Sequence, residues 1–225
     1  MSTGIWAVLP IKEIGGAKQR LSALLTPPQR RQLAITMAED VLSALGAARG
    51  LAGVMVVTLD PDAAALARRF GARVETEGAR DGHTGAVMGA TRVLLREAAA
   101  GLLQVPGDIP RITAAEVETV LAARPPAPSF TIVPAHDERG SNCVLLTPPD
   151  SVPLRFGDDS YFPHLDAARA RGLEPAIVPL PGIGMDIDHP ADLARFLRMQ
   201  PRVETRTLAF LEATGIDRVA LAAAG

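Results

Sequence analysis

Four times before residue 125, a short apolar run gives way to a stretch with helical spacing, and this alternation constrains the chain more than any other feature. The runs lie at residues 5–9, 54–58, 72–76 and 102–105. The second, Val54-Met55-Val56-Val57-Thr58, is continuously apolar over four residues, as in a strand covered on both faces. Thr26-Pro27-Pro28-Gln29 reads as a capped helix start, followed by Leu33, Met37, Val41 and Leu45 at four-residue spacing. Asp60-Pro61 starts a second helix that Gly71 stops, a third is expected over 86–99, and Thr113 with Glu116 reads as a capping box opening a fourth that reaches Ala123. Strand and helix in strict alternation imply a parallel sheet with right-handed crossovers and helices on both faces, an α/β fold.

The second half is less regular. Residues 130–133 and 143–146 read as strands around a polar loop at 134–142, and the segment 155–160 precedes a helix ending at Gly172. A late strand is expected at 176–180, then Gly184-Met185-Asp186-Ile187-Asp188-His189-Pro190 and a helix through Leu197. A last helix is expected over 203–211, followed by a loose Ala-rich tail. This divides the chain into a main domain, 1–200, and a helical tail, 201–225. Leu208, Phe210 and Leu211 of that tail would cover either the domain itself or a second copy of the chain in a homodimer.

Composition narrows the class. A net charge of −2 and no long basic stripe argue against a nucleic-acid partner, as do the single Trp and single Tyr. No run of about 18 apolar residues suggests a membrane span. The expected location is the cytoplasm, because the N-terminus leads directly into a strand without a signal-like segment. Cys143 is the only cysteine, so neither an internal disulfide nor a thiolate zinc cluster can form, and its apolar strand marks it as core.

Every unusual polar segment follows a strand. Pro10 and the pair Gly15-Gly16 break the first run, and Lys12, Lys18 and Arg20 follow within one loop, expected to face solvent. Glycines let a backbone turn tightly and approach a ligand, and cations beside them suit a polyphosphate. The others are the 77–85 loop, Gly107-Asp108, and Asp186-Ile187-Asp188. Ligands of parallel sheets bind outside the carboxyl ends of strands, so four such segments on one edge indicate a binding site. If Asp186 and Asp188 lie in an extended segment, both point the same way. Three carboxylates, with Asp108, would repel one another unless a cation sits among them, and neutralising any one should then relieve the apo protein. Oxygen ligands favour Mg²⁺, or Mn²⁺, over zinc. The alternative for Asp188 is capping of the helix that begins at Pro190, shared with His189.

Taken together, Pro10-x-Lys12, Ala17-Lys18-x-Arg20-Leu21-Ser22, Gly107-Asp108-Ile109-Pro110, Gly140-Ser141-Asn142, Phe156-Gly157-x-x-Ser160-x-x-x-His164 and Gly184-x-Asp186-Ile187-Asp188-x-Pro190-x-Asp192-Leu193 resemble the CofC/FbiD family, from about residue 5 to residue 198. These are the guanylyltransferases of coenzyme F420 biosynthesis. The resemblance implies a Rossmann-like nucleotidyltransferase fold that joins the GMP of GTP to the phosphate of a phosphorylated three-carbon acid and releases pyrophosphate. The acid would be 2-phospho-L-lactate, phosphoenolpyruvate or 3-phosphoglycerate. It also implies Asp108, Asp186 and Asp188 as metal ligands, and Ser141, Asn142, Gly157 and Ser160 around the phospho-acid. Lys18 and Arg20, with Asp108, would be catalytic. Pro10, Lys12, Thr84, Gly85 and Gly107 would join the two basic residues around the nucleotide. One departure stands out: relatives usually carry a Leu-Asn-Ala-Ala-like segment where this chain has His83-Thr84-Gly85-Ala86, and threonine lacks the paired donor and acceptor of asparagine.

The residues fit that chemistry on their own terms. A phosphate dianion is already nucleophilic, so the reaction needs positioning and charge neutralisation and not a Ser-His-Asp arrangement. His83 and His164 lie near the loops but read more readily as structural or incidental. Two other readings remain open from the residues: a molybdenum-cofactor or sugar-phosphate nucleotidyltransferase, whose full Gly-rich signature is missing from 10–22, and a nucleotide-binding regulatory domain without activity.

Overall fold

The computed structural model describes residues 4–157 and 159–223. Seven strands form one sheet: β1 (Ile5–Pro10), β2 (Leu51–Val57), β3 (Arg73–Glu75), β4 (Gly101–Gln104), β5 (Ser129–Pro134), β6 (Ser141–Thr147) and β7 (Ala176–Ile177), in the order β3-β2-β1-β4-β6-β5-β7. The β1–β2, β1–β4, β2–β3 and β5–β7 pairs are parallel, and β6 runs antiparallel to both β4 and β5. The reading of a mostly parallel sheet with helices on both faces therefore holds. What the sequence reading did not resolve is the reversal of β6, which puts the start of that strand beside the end of β4.

The helices are α1 (Pro27–Ala47), α2 (Pro61–Arg69), α3 (Gly82–Arg96), α4 (Ala114–Ala122), α5 (Tyr161–Ala170), α6 (Pro190–Arg198), α7 (Arg206–Ala213) and α8 (Ile216–Ala223). Strand alternation sorts the core by face. Ala7, Leu9, Leu103, Val105 and Leu145 pack with Val41, Leu45 and Val117 of α1 and α4. Val8, Leu102, Val144 and Phe130 pack with Val87, Leu94 and Leu165 of α3 and α5. Each such side chain, fully removed from water, contributes about 1.5–3 kcal/mol.

Three local expectations need correction. Helix α3 begins at Gly82, so His83, Thr84 and Gly85 form its first turn and not a loop. Glu116 does not close a capping box on Thr113; Thr113 Oγ1 accepts from Glu116 N, but the Glu116 carboxylate reaches across to Gly182 N–H at 2.7 Å. The late strand is only two residues long, because Pro179 and Pro181 cannot donate to a ladder.

The expected loose tail is helix α8 through residue 223, with Ile216 and Ala220 buried; the last two residues of that expected tail lie outside the described residues. Helices α6, α7 and α8 share a third apolar cluster with α1, in which Leu208 and Leu211 cover Leu33 and Met37 of the same chain. Asp40, buried in α1, receives the backbone N–H groups of Arg206 and Thr207 at 2.9 Å each, tying down the start of α7, where the helix dipole favours a carboxylate. Asp40→Ala leaves two donors without their acceptor. It is expected to cost about 1–3 kcal/mol in urea denaturation, and an unchanged midpoint would mean that α7 is not held there.

Candidate active site

Strands β1 and β4 are neighbours, yet the chain leaves β1 toward β2 on one side and reaches β4 on the other. Their carboxyl ends therefore border a topological switch point, where open α/β sheets leave a crevice for ligands. The basic loop follows β1 and Asp108 follows β4. Antiparallel β6, with Gln104 opposite Val144, carries Ser141 and Asn142 to the same edge. Asp186 and Asp188 arrive from the segment before α6, whose Ile187 N–H donates to Asp108 O at 3.1 Å. A cavity of about 680 Å³ opens there, lined by ten residues singled out from the sequence: Lys12, Arg20, Thr84, Asp108, Ser141, Asn142, Gly157, Ser160, Asp186 and Asp188.

The remaining predicted residues lie behind or beside it. Pro10, Lys18 and Gly107 line a smaller cavity of about 250 Å³ that shares Lys12 and Asp108 with the first. Gly85 is used for packing: a Cβ there would lie 2.2 Å from Asp81 Cβ. A third cavity, about 690 Å³, meets the main one at Lys12 and Gly82 and is lined by Glu13, Arg31, Asp60 and Arg80.

Lys18 is the main departure from expectation. Far from facing solvent, its side chain is 9% exposed, and its ammonium donates to Asp108 Oδ2 at 2.7 Å and to Asp188 Oδ1 at 2.6 Å. The residue sits in the left-handed region, at φ 55°, which a non-glycine residue enters at a cost of about 1–2 kcal/mol. Burial alone would lower the Lys18 pKa, but the two carboxylates override it and raise it above the ordinary value. The cation among the carboxylates is thus supplied by the chain. Arg20, more exposed, lies 3.9 Å from Asp188 Oδ2 and 3.3 Å from His189 Nε2.

The three aspartates are not equivalent. Burial would raise Asp188, yet Lys18, then Arg20 and His189, hold it below the ordinary carboxylate value. Asp186 is raised, chiefly by burial, with the Asp108 and Asp188 charges adding to it and a hydrogen bond from Asn142 Nδ2 at 3.0 Å opposing it. Capping of α6 falls to other groups: His189 is its N-cap residue, and Asp192 Oδ2 accepts from the N–H groups of Asp188 and His189. Among the described residues no three acidic, histidine or cysteine side chains lie, as they stand, where they could hold a metal ion. The three aspartates nonetheless line one cavity and offer only oxygen.

Ser141 and Ser160, in the same lining, are backed by His164, which the sequence left open. Ser141 Oγ and His164 Nδ1 are 2.9 Å apart, Ser141 N–H donates to Ser160 Oγ at 3.1 Å, and Arg155 N–H donates to His164 Nε2 at 3.1 Å. Thr84 Oγ1 accepts from Phe156 N–H at 3.0 Å, so its side chain holds the 155–157 segment to α3. A Cβ on Gly157 would meet open space, consistent with close ligand approach. Gln104 was missed, and His83 was noted without a role. Fully buried Gln104 has its Nε2 3.1 Å from His83 Nε2, and its Oε1 has no partner among the described residues. The His83 ring is tilted against that of Phe156, and burial, helped by Lys12, holds its pKa below the ordinary value against the pull of Asp108. Only the position of β6 and α3 relative to β4 reveals these pairs.

This fold is one that solved nucleotidyltransferases share, among them one from Methanothermobacter thermautotroptrophicus at a TM-score of 0.60 and 17% identity. The structure matches that of a Desulfovibrio desulfuricans G20 protein assigned to the nucleotide-diphospho-sugar transferases, with a TM-score of 0.78 over 98% of this chain and 99% of that one, at 20% identity. The chain belongs to the guanylyl transferase CofC-like family, whose model matches residues 5–220. It is 39% identical over 192 residues to the phosphoenolpyruvate guanylyltransferase of Rubrobacter xylanophilus, spanning 85% of this chain and 92% of that protein. It is 33% identical over 186 residues to the 3-phospho-D-glycerate guanylyltransferase of Colwellia psychrerythraea, spanning 83% and 88%. The family expectation drawn from the motifs is thereby met, and the chain is a nucleotidyltransferase.

The unequal aspartates revise the expectation that any Asp→Asn change relieves the apo protein. Asp186→Asn removes a charge that the fold disfavours and is expected to melt at or above the wild-type temperature at pH 7. Asp188→Asn releases one partner of Lys18 and is expected to cost about 1.5–3 kcal/mol, the worth of a charged hydrogen bond. The sign follows from linkage. The folded Asp188 pKa is depressed, so its contribution is complete above the ordinary value of 3.8 and lost as the pH falls below it. Denaturation curves of the two variants at pH 7 check this, and equal shifts would contradict it.

Proposed function

We propose that this chain transfers GMP from GTP to the phosphate of a phosphorylated three-carbon acid, with phosphoenolpyruvate the favoured acceptor, and releases pyrophosphate. An acceptor phosphate oxygen bonds to the α-phosphorus while the bond from that phosphorus to the oxygen bridging to the β-phosphate breaks, and its electron pair leaves with pyrophosphate. The observation that carries this reading is one cavity lined by two chemically different sets of groups. Lys12, Arg20, Asp108, Asp186 and Asp188 make a mixed-charge surface suited to a nucleotide triphosphate and its counterion. Ser141, Ser160 and the open backbone at Gly157 offer hydroxyl and amide contacts suited to a small anion. The relatives named for phosphoenolpyruvate and for 3-phospho-D-glycerate support an acceptor of that class.

A divalent cation, Mg²⁺ or Mn²⁺, fits the oxygen-only donor set, with Asp108, Asp186 and Asp188 the residues that would hold it. Bound there, it would neutralise charge developing on the phosphates. Lys18, already between Asp108 and Asp188, would orient those two carboxylates and lie within the charge field of the leaving pyrophosphate. The 690 Å³ cavity beside Lys12, with Glu13 and Asp60 on its wall, is large enough to take the nucleoside. The place of the product in coenzyme F420 biosynthesis, and a cytoplasmic location, belong to this same reading. Among the described residues no helix is long and apolar enough to cross a membrane.

The test is pyrophosphate release by the purified chain with GTP and Mg²⁺ and, separately, phosphoenolpyruvate, 3-phosphoglycerate or 2-phospho-L-lactate. Release that requires both GTP and one of these acids is expected, and release with none of them overturns the reading. Asp186→Asn should retain the fold and lose most turnover. Lys18→Met should lower kcat/KM by about ten- to a hundredfold, the value of one charge-assisted contact of about 1.5–3 kcal/mol.

A further inference from the structure

His164 is 1% exposed and is held on every side. Its ring lies 5.0 Å from that of Phe156 and 6.3 Å from that of Phe130, both edge-on, and each ring nitrogen has one polar neighbour. Those neighbours decide where the ring proton sits. Arg155 N–H can only donate, so the nitrogen it meets, Nε2, must offer a lone pair. Burial pushes the imidazole pKa down to about 4, so the ring is neutral and carries one proton. That proton must be on Nδ1, which therefore donates to Ser141 Oγ at 2.9 Å. The opposite tautomer would set two N–H groups against each other in a buried site. Ser160 Oγ, 3.3 Å away, donates to the same Ser141 oxygen while accepting from Ser141 N–H.

The Ser141 oxygen thus receives hydrogen bonds from the His164 ring and from Ser160 Oγ, and its own proton has no acceptor in this network. Ser141 lines the main cavity. We propose that His164 is a positioning residue for the acceptor subsite: its Nδ1–H tautomer, fixed by the Arg155 backbone, commits the Ser141 hydroxyl to donating into the cavity, toward an anionic oxygen of the phosphorylated acid. The same ring also fixes the backbone at Arg155, two residues before Gly157, so one side chain sets both contacts. The identity of the acid rests on the function proposed above, whereas the tautomer does not.

Two measurements test this. In enzyme labelled with ¹⁵N-histidine at pH 7, the His164 resonances should report a neutral ring protonated at Nδ1, and a ring protonated at Nε2 or at both nitrogens overturns the relay. In steady-state assays with GTP and phosphoenolpyruvate, His164→Phe, which keeps an aromatic ring and removes both nitrogens, should raise KM for the acid about tenfold, the loss of one hydrogen bond, and leave KM for GTP unchanged. His164→Asn, which retains an N–H donor, should recover part of that loss. Combined with Ser141→Ala, His164→Phe should add no further loss, because it acts through that hydroxyl. Additive losses, or equal rises in KM for both substrates, overturn the positioning role. Wild-type enzyme that binds no phosphorylated acid overturns the proposed function and the ligand named here together; the Nε2–H form in an enzyme that does bind one overturns the relay alone.

Discussion

The arrangement at the sheet edge depends on one ion triplet: the Lys18 ammonium between the Asp108 and Asp188 carboxylates. Three segments far apart in the chain meet at that point. They are the loop after β1, the turn after β4 and the chain entering α6. Taking a single ammonium out of water is unfavourable, and one carboxylate seldom compensates fully. Two of them, at 2.6 and 2.7 Å, do so here, and the left-handed backbone at Lys18 is part of the cost. Asp186 makes no hydrogen bond to that ammonium, and its carboxylate is raised, chiefly by burial, with the Asp108 and Asp188 charges adding to it. A site whose acids are unequal before any ligand arrives can bind a cation at one place without first overcoming repulsion at all three.

The architecture was legible because it rests on local signals. Apolar runs, caps and the spacing of Leu33, Met37, Val41 and Leu45 were enough to place four strands and four helices and to predict the edge where polar segments gather. Two kinds of feature were not legible. Residues 129–147 read as two strands, but nothing in their pattern states that β6 inserts antiparallel between β4 and β5, and that insertion brings Ser141 to Asp108. Lys18 read as one more solvated cation, because its partners are 90 and 170 positions away. The same holds for Asp40, which looks like a stray acid in an apolar stripe until α7 places two N–H groups on it.

Site residues divided along the same line. Motif resemblance identified most residues that line the cavity and included His164, but said nothing of what the buried ones touch. His164 and Gln104 act on wall residues or face the cavity from buried positions, and their chemistry depends on which nitrogen or oxygen meets which neighbour. Gly85 shows the converse. A glycine near a predicted ligand suggested close approach, yet its missing Cβ is filled by Asp81 and Gly78.

The glycines around the start of α3 have a wider meaning. A Cβ on Gly89 would lie 1.9 Å from Glu77 O, and one on Gly78 would lie 2.1 Å from Gly85 O, so helix and preceding loop are in backbone contact along two turns. Such an interface has little that could repack, and it carries His83 and Thr84 in its first turn. The loop after β1 is held differently: Gly15 and Gly16 have room for a Cβ, and side chains pin it, with Asp60 accepting from Ile14 N–H and two carboxylates gripping Lys18. One bank of the cleft is therefore joined by backbone and the other by charge, so any residue larger than glycine at Gly78, Gly85 or Gly89 would displace α3, whereas a change of pH or salt would act first on the loop.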